Sequence, residues 1–379
     1  MDGDRWAAML SRREWMRILG AGAGLGMLGG LRGDSLLKAA SGRGAAQVGR
    51  VAFPKGAIVR TILKDVPPDA LGTGATLFHE HLSINLSGLG GGRGGQPPAT
   101  PPPPPVTDDV DMIAQLVNKA GTEGVSCIVD GAHTDMGRKM ADLKTIASRT
   151  KVHIIASGGF YMQRTYPPDI ATKTDDQIAD DLVRETREQR HGAFGEIGEN
   201  PNGAELTLDE RKVFRAIGKA SVRTGLPIFT HNSYGTGPNV PRDIGLQQLD
   251  ILESVGVRPQ HIAIGHTCCL DDPPATIIKE IAKRGAFVGF DRVTTVQQIM
   301  PDAKKVVMVM AFLEAGFADK LLLAADFTGQ RAMDARPGYG RTLTGFLPLL
   351  RQASVKDETL QMITRDNPRR FLAFVPASK

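Results

Sequence analysis

From about residue 75 the chain alternates short apolar runs with longer segments whose hydrophobic residues recur at helical spacing. The runs are Ala75–Leu82, Ser126–Gly131, His153–Phe160, Ala193–Glu199, Pro227–Ser233, His261–Thr267, Ala286–Arg292 and Lys320–Phe327. Each is short enough for a strand. Between them the period is helical: in Asp209–Thr224, residues Val213, Phe214, Ile217 and Ala220 fall on one face. Thr174 with Gln177, and Thr207 with Glu210, have the spacing of capping boxes. Gly121, Gly192, Gly225, Gly256, Gly285 and Gly316 stand where helices should end in a left-handed cap. Alternating strands and helices imply a parallel sheet with crossover helices. Eight such units make an α/β fold of the (β/α)8 TIM-barrel type. A doubly wound open sheet is the competitor, and the eight-fold count and the polar residues at strand ends favour the barrel. No period of 20–50 residues repeats, which excludes a solenoid.

Three segments depart from this rhythm. Residues 51–74 read as a short antiparallel hairpin, Ile58–Leu63 followed by a turn at Pro67-Pro68. Residues 87–106, glycine-rich and then proline-rich, read as a long loop after the first barrel strand, half flexible and half polyproline II. Residues 1–46 read as a leader and linker ahead of a barrel at 47–379. Arg12-Arg13 precede an apolar, glycine-rich run of 14 residues, Ile18–Leu31. That suits a signal h-region and is too short to span a bilayer. The segment resembles a twin-arginine (Tat) export signal, with Trp15 in place of the usual Phe, and predicts a periplasmic or secreted protein. Small residues at 39–41 and 44–46 offer cleavage sites. Gly24, Gly26 and Gly29 match a dinucleotide-binding pattern, but no strand precedes them and they lie inside the apolar run.

Composition narrows the function class. The 379 residues are 41% hydrophobic and 23% charged, a globular balance. The formal net charge is +5, of which the first 46 residues supply +3, so the body is nearly neutral. Aromatic residues make up 5% and no basic cluster interleaves with them, so a nucleic-acid surface is not indicated. Three cysteines, Cys127, Cys268 and Cys269, cannot form a disulfide framework and read as space-filling.

Polar residues close several of the apolar runs. His79 and His81 form H-x-H, which points both to one face of a strand. His231 closes Pro-Ile-Phe-Thr-His, His266 closes Ile-Ala-Ile-Gly-His, and Asp326 closes Leu-Leu-Leu-Ala-Ala-Asp. Glu196 lies in Gly-Glu-Ile-Gly-Glu. Polar groups ending buried strands are costly unless paired or bound to a cation, and in a barrel these ends share one mouth. Four imidazoles and two carboxylates suit a borderline divalent metal such as zinc. A lone strand-end histidine is an ordinary loop residue, but five strands delivering ligand types to one end are not. His133 follows the second strand and reads as outside the ligand set, supporting a ligand or touching substrate. His153, His191 and His261 read as surface histidines of the opposite face.

These motifs, together with Val59–Leu71, Val129-Asp130-Gly131, Gly159-Phe160-Tyr161 and the closing 366–372 segment, carry a resemblance. In this order they resemble the phosphotriesterase family of the amidohydrolase superfamily, over roughly residues 57–375. The resemblance implies two metals, usually zinc: His79, His81 and Asp326 on the more buried one, His231 and His266 on the more exposed one. Many members bridge the metals with a carboxylated lysine. This chain resembles the branch that uses glutamate, which implies Glu196 as the bridge, with Glu199 as the alternative if strand four bulges. A metal-bridging hydroxide would attack a phosphoryl or carbonyl centre, with Asp326 accepting the proton and Asp130 orienting ligand histidines. Tyr161 and Arg292 are the candidate substrate contacts, each with a structural alternative. The expected activity is hydrolysis of an ester, lactone or phosphotriester. An amidase or deacylase on the same site, or a non-catalytic exported binding protein, are the alternatives. Expected partners are a small-molecule substrate and the Tat export machinery, with no nucleic acid and no membrane span after leader removal; a homodimer is left open.

Overall fold

A computed structural model describes residues 51–86, 106–201, 203–237, 239–329 and 338–376. The expected leader at 1–46, nearly all of the glycine- and proline-rich loop, and most of the loop after Asp326 lie outside the described residues. Eight parallel strands follow one another round the sheet in chain order: β3 (Ala75–Glu80), β4 (Val125–Asp130), β5 (His153–Gly158), β6 (Ala193–Ile197), β7 (Ile228–Thr230), β8 (Ile262–Ile264), β9 (Phe287–Phe290) and β10 (Leu321–Leu323). β10 lies against β3, so the sheet is a nearly closed barrel, and helices alternate with the strands. The chain is a (β/α)8 TIM barrel, as its periodicity predicts.

Period-two alternation divides the core. Cys127, Val129 and Ile155 join one cluster to which every barrel strand contributes, with Phe78, Ala193, Phe229, Ala263, Phe287 and Leu322. Their neighbours Ile128 and Ile154 join a second cluster with Ile113 and Val117 of α1 (Val110–Thr122) and Leu143 and Ile146 of α2 (Met140–Ser148). The first fills the barrel, and the second is the layer between sheet and helices. The hairpin, β1 (Val59–Arg60) and β2 (Asp65–Val66), the 3-10 turn after it, Pro68–Leu71, and the last helix, Asn367–Leu372, bring Val59, Leu71, Phe371 and Leu372 into the first cluster.

Some expectations need correction. The hairpin turns at Thr61–Lys64, closed by the Thr61 amide on the Lys64 carbonyl at 3.0 Å. Pro67-Pro68 instead opens a short 3-10 turn beyond β2, where missing amides cost nothing. Both capping boxes form, at the starts of α3 (Asp175–Gln189) and α4 (Leu208–Thr224). Of the expected glycine caps, Gly121 sits inside α1 against Val152, and Gly124 takes the left-handed position beyond the helix. α3 ends on Arg190 rather than Gly192. His191, expected on the surface, is fully buried, with Nε2 3.1 Å from an Arg138 guanidinium nitrogen. Burial, Arg138 and His133 hold it well below the ordinary histidine value. His153 and His261 are partly exposed.

Candidate metal centre

Two irregularities in the ladder decide which side chains enter the barrel. Between Leu77 and Glu80, β3 advances three residues while β4 advances two, Ile128 to Asp130. The extra residue is a bulge. It lets both Phe78 and His79 face inward, and His81 follows. Glu80 faces the other way, as does its partner Asp130. β6 does the same against β7: Phe194 to Ile197 spans three residues against the two from Ile228 to Thr230. Strict alternation from the inward Ala193 would aim Glu199 into the barrel. The bulge aims Glu196 there instead.

Glu196 consequently lies among four imidazoles. Its Oε2 is 2.7 Å from His231 Nδ1, 3.3 Å from His266 Nε2 and 3.4 Å from His79 Nε2, and its Oε1 is 3.3 Å from His81 Nε2. Asp326 completes the ring, with Oδ1 3.0 Å from His81 Nε2 and 3.9 Å from His79 Nε2. The structure thus brings all six sequence-predicted ligand residues together. Small residues make room. A Cβ on Gly131 would sit 2.9 Å from the His79 ring, and one on Gly198 would sit 3.0 Å from the Tyr161 carbonyl and 3.1 Å from His231. Glu199 turns away, accepting from the Ser233 amide at 2.6 Å and from Gln248 Nε2 at 2.9 Å. Burial pushes its carboxyl up to about 7.

The ring orientations depend on an acid that sequence reasoning missed. Asp291 at the end of β9 accepts from His79 Nδ1 at 2.8 Å, from His266 Nδ1 at 2.9 Å and from the His266 amide at 2.7 Å. With Nδ1 protonated, each imidazole turns an Nε2 lone pair to the centre. His79 Nε2 is buried and has no hydrogen-bond partner. Asp130 plays a different part from the one expected. Its Oδ1 accepts the amides of Leu82, at 2.7 Å, and Ser83, so it fixes the chain after H-x-H rather than a ring. Glu80 acts likewise on the far edge, accepting the Ala325 and Phe327 amides at 2.8 Å each and so bracketing Asp326. Burial raises its carboxyl to about 8 against those two amides.

The electrostatics favour positive charge at this point. Burial alone would lower His79 and His81, yet the carboxylates raise both, His81 to about 9. Glu196 and Asp326 are held well below the usual carboxylate range: burial opposes this, but His231 and His79 outweigh it for Glu196, and Arg292 and His81 for Asp326. His231 is pushed down to about 4 by burial, with His266 adding. Ionised carboxylates and converging imidazole lone pairs make a donor set that fits a divalent cation. Two groups of these atoms, His79/His81/Glu196/Asp326 and Glu196/His231/His266, each fall within 4.8 Å, with Glu196 common to both.

Above the cluster is a cavity of about 350 Å³, bounded among the described residues by His81, Ile84, Tyr161, Glu196, Arg292, Thr295, Val296, Asp326 and Phe327 together with Leu86 and Thr328. Both candidate substrate contacts line it. The Tyr161 ring stands edge-on to His231 with its hydroxyl 3.5 Å from Nε2. Arg292 donates Nε to Asp326 Oδ2 at 2.8 Å and leaves Nη1 buried without a partner. Its pairing with an acid and its place on the cavity therefore coexist. His133 is buried beside Asp135 at 3.5 Å and is not on the cavity wall. The three cysteines are free and buried.

Comparison with known proteins gives the family of the chain. The phosphotriesterase family model matches residues 58–372. The chain belongs to the phosphotriesterase family. It is 31% identical over 307 residues to the phosphotriesterase homology protein of Escherichia coli, covering 79% of this chain and 98% of that one. A crystal structure of that protein, complexed with phosphate in the active site, superposes with a TM-score of 0.70 over 79% of this chain and 99% of the other, at 29% identity. An aryldialkylphosphatase of Saccharolobus solfataricus is 28% identical over 68% of this chain and 83% of its own. An N-acetyltaurine hydrolase of Rattus norvegicus is 27% identical over 71% and 79%. As a member of this family, the chain carries a histidine and carboxylate cluster that could bind metal ions.

Proposed function

We propose that the chain is an exported, binuclear metal-dependent hydrolase of ester, lactone or phosphotriester bonds. The observation that carries the reading is Glu196, one carboxylate within 3.4 Å of nitrogen atoms from four imidazoles. His79, His81, Asp326 and Glu196 would hold one cation, and His231, His266 and Glu196 the other. Zinc suits these ligands. Two such cations supply Lewis acidity and make a water nucleophilic at neutral pH. The remaining work falls to the protein. Asp326 Oδ1 faces the cluster and takes the proton of the attacking water. Its Oδ2 stays on Arg292, which fixes the carboxylate plane. Arg292 Nη1, unpartnered and beside the cavity, donates to an oxygen of the substrate. Ile84, Leu86, Val296 and Phe327 exclude water and receive the organic group.

The test is a panel of lactones, aryl esters, phosphotriesters and amides offered to metal-loaded protein. Turnover of an oxygen ester, lactone or triester that a chelator abolishes is expected. Protein that holds two metals and turns over none of them contradicts the reading. Amide cleavage at the same centre is the second reading. The N-acetyltaurine hydrolase relatives favour it, and turnover confined to the amide arm would select it.

A further inference from the structure

We propose that Lys305, with Asp302, is a positioning residue: the pair holds the cavity wall formed by Arg292, Thr295 and Val296 and thereby sets which substrate groups fit there. The substrate half of this rests on the hydrolase reading, whereas the positioning half does not.

Lys305 lies on α7 (Asp302–Glu314) and is completely buried. Its surroundings on that face are apolar: Val306, Met308, Val309 and Phe312 are all buried. A lysine there is costly unless its ammonium is fully bonded. It is. The three N–H donors of the group have three acceptors: the Arg292 carbonyl at 2.6 Å, the Thr295 carbonyl at 3.0 Å and Asp302 Oδ1 at 3.0 Å. Two of the three belong to residues that line the cavity. Packing alone would be served by methionine or leucine, so the cation at this position serves the loop.

That loop needs holding. Thr294 has φ 62° and Val296 φ 45°, the left-handed region that β-branched residues avoid. Such conformations persist only where surrounding contacts over-determine them. The Thr294 amide donates to both Asp302 carboxylate oxygens, at 3.0 and 3.2 Å. Thr295 Oγ1 donates to the Ala325 carbonyl at 2.8 Å, which ties the wall to the residue before Asp326. Lys305 therefore joins α7 to the cavity wall without touching the metal cluster. When its donors are removed, the Arg292 carbonyl loses its partner and the Thr295 carbonyl is left with the long bond from Gln297 Nε2 at 3.4 Å. Thr294 and Val296 can then relax to ordinary φ, so the 294–296 stretch of the wall moves, while the Arg292 guanidinium keeps its bond to Asp326 Oδ2 and the six clustered side chains stay.

The test uses the full chain with two variants. Lys305→Met keeps the stem length and removes the donors. Asp302→Asn, at the partly exposed start of α7, keeps an oxygen acceptor for the Lys305 ammonium while losing one of the two that meet the Thr294 amide, so it folds even if Lys305→Met does not. Lys304→Met, whose ammonium meets Asp271 at the surface, is the control. Both variants should exchange the backbone amides of residues 293–300 about tenfold or more faster, with the rest of the barrel unchanged. Metal content should match that of the parent. Across esters of graded acyl size, KM for the preferred substrate should rise about fivefold or more with kcat within about twofold, and size preference should flatten. Unchanged exchange overturns the proposal, as does faster exchange with the parent's substrate preference. If the parent hydrolyses nothing, the hydrolase reading has failed, and amide exchange alone decides whether Lys305 holds the wall.

Discussion

Asp291 uses a single carboxylate to set two imidazoles. Replacing it with alanine leaves His79 and His266 free to turn or to change tautomer. Loss of such a supporting carboxylate typically weakens a metal site about 10–100-fold. Chelator competition on Asp291→Ala should show a loss of that size, and unchanged affinity would mean that packing alone fixes the rings. His79, His81, His231, His266 and Asp326 were legible because each ends an apolar run, where a polar group needs a reason. Asp291 ends such a run too, Phe-Val-Gly-Phe, but a carboxylate that serves imidazoles looks in sequence like any other strand-end acid. Glu80 was hidden for a different reason. It sits between two inward histidines and acts on the opposite face. Choosing between Glu196 and Glu199 depended on a bulge that residue identity alone does not locate. As a bridge, Glu196 is already an anion and needs no carbon dioxide to form. Zinc reconstitution of the apo-protein should restore activity equally with and without bicarbonate, and a requirement for bicarbonate would count against a glutamate bridge.

At the scale of elements, all eight barrel strands and both capping boxes follow from hydrophobic period and side-chain chemistry. What escaped were features decided by tertiary contact. Arg190 takes the left-handed cap of α3 although it is not glycine. Gly121 lies inside α1, and its missing side chain leaves room for Val152, which an added Cβ would meet at 3.1 Å. The hairpin turn is closed by Thr61 and Lys64, through the Thr61 amide and its hydroxyl on the Lys64 carbonyl and the Lys64 amide on that hydroxyl. Two measurements test this level. Thr207→Ala removes the acceptor for the Glu210 amide at the start of α4 and should cost about 1 kcal/mol of stability by denaturant titration. His191 is buried next to Arg138 and kept neutral, so its folded value lies below its unfolded one. Its contribution is complete above the unfolded value, near 6.5, and is lost as pH falls below it. Acidification from pH 7 to 5 should lower Tm less in His191→Gln than in the parent, and parallel curves would refute this.

For the whole molecule, the barrel and residues 1–46 carry separate predictions. The twin-arginine reading of residues 1–46 predicts that changing Arg12 and Arg13 to Lys traps precursor in the cytoplasm. Unimpaired export of that variant would make the arginine pair incidental. The barrel's central claim is that β3, β6, β7, β8 and the end of β10 bring six side chains together to hold two divalent cations about one shared carboxylate. Elemental analysis of purified protein tests this most directly, comparing the parent with Glu196→Ala and Glu199→Ala. The expected result is about two metals per chain in the parent, as in two-metal hydrolytic sites. Glu196→Ala should lose at least one, because two cations without a shared anion repel, and Glu199→Ala should keep both. A parent with no metal, or a loss confined to Glu199→Ala, would contradict it.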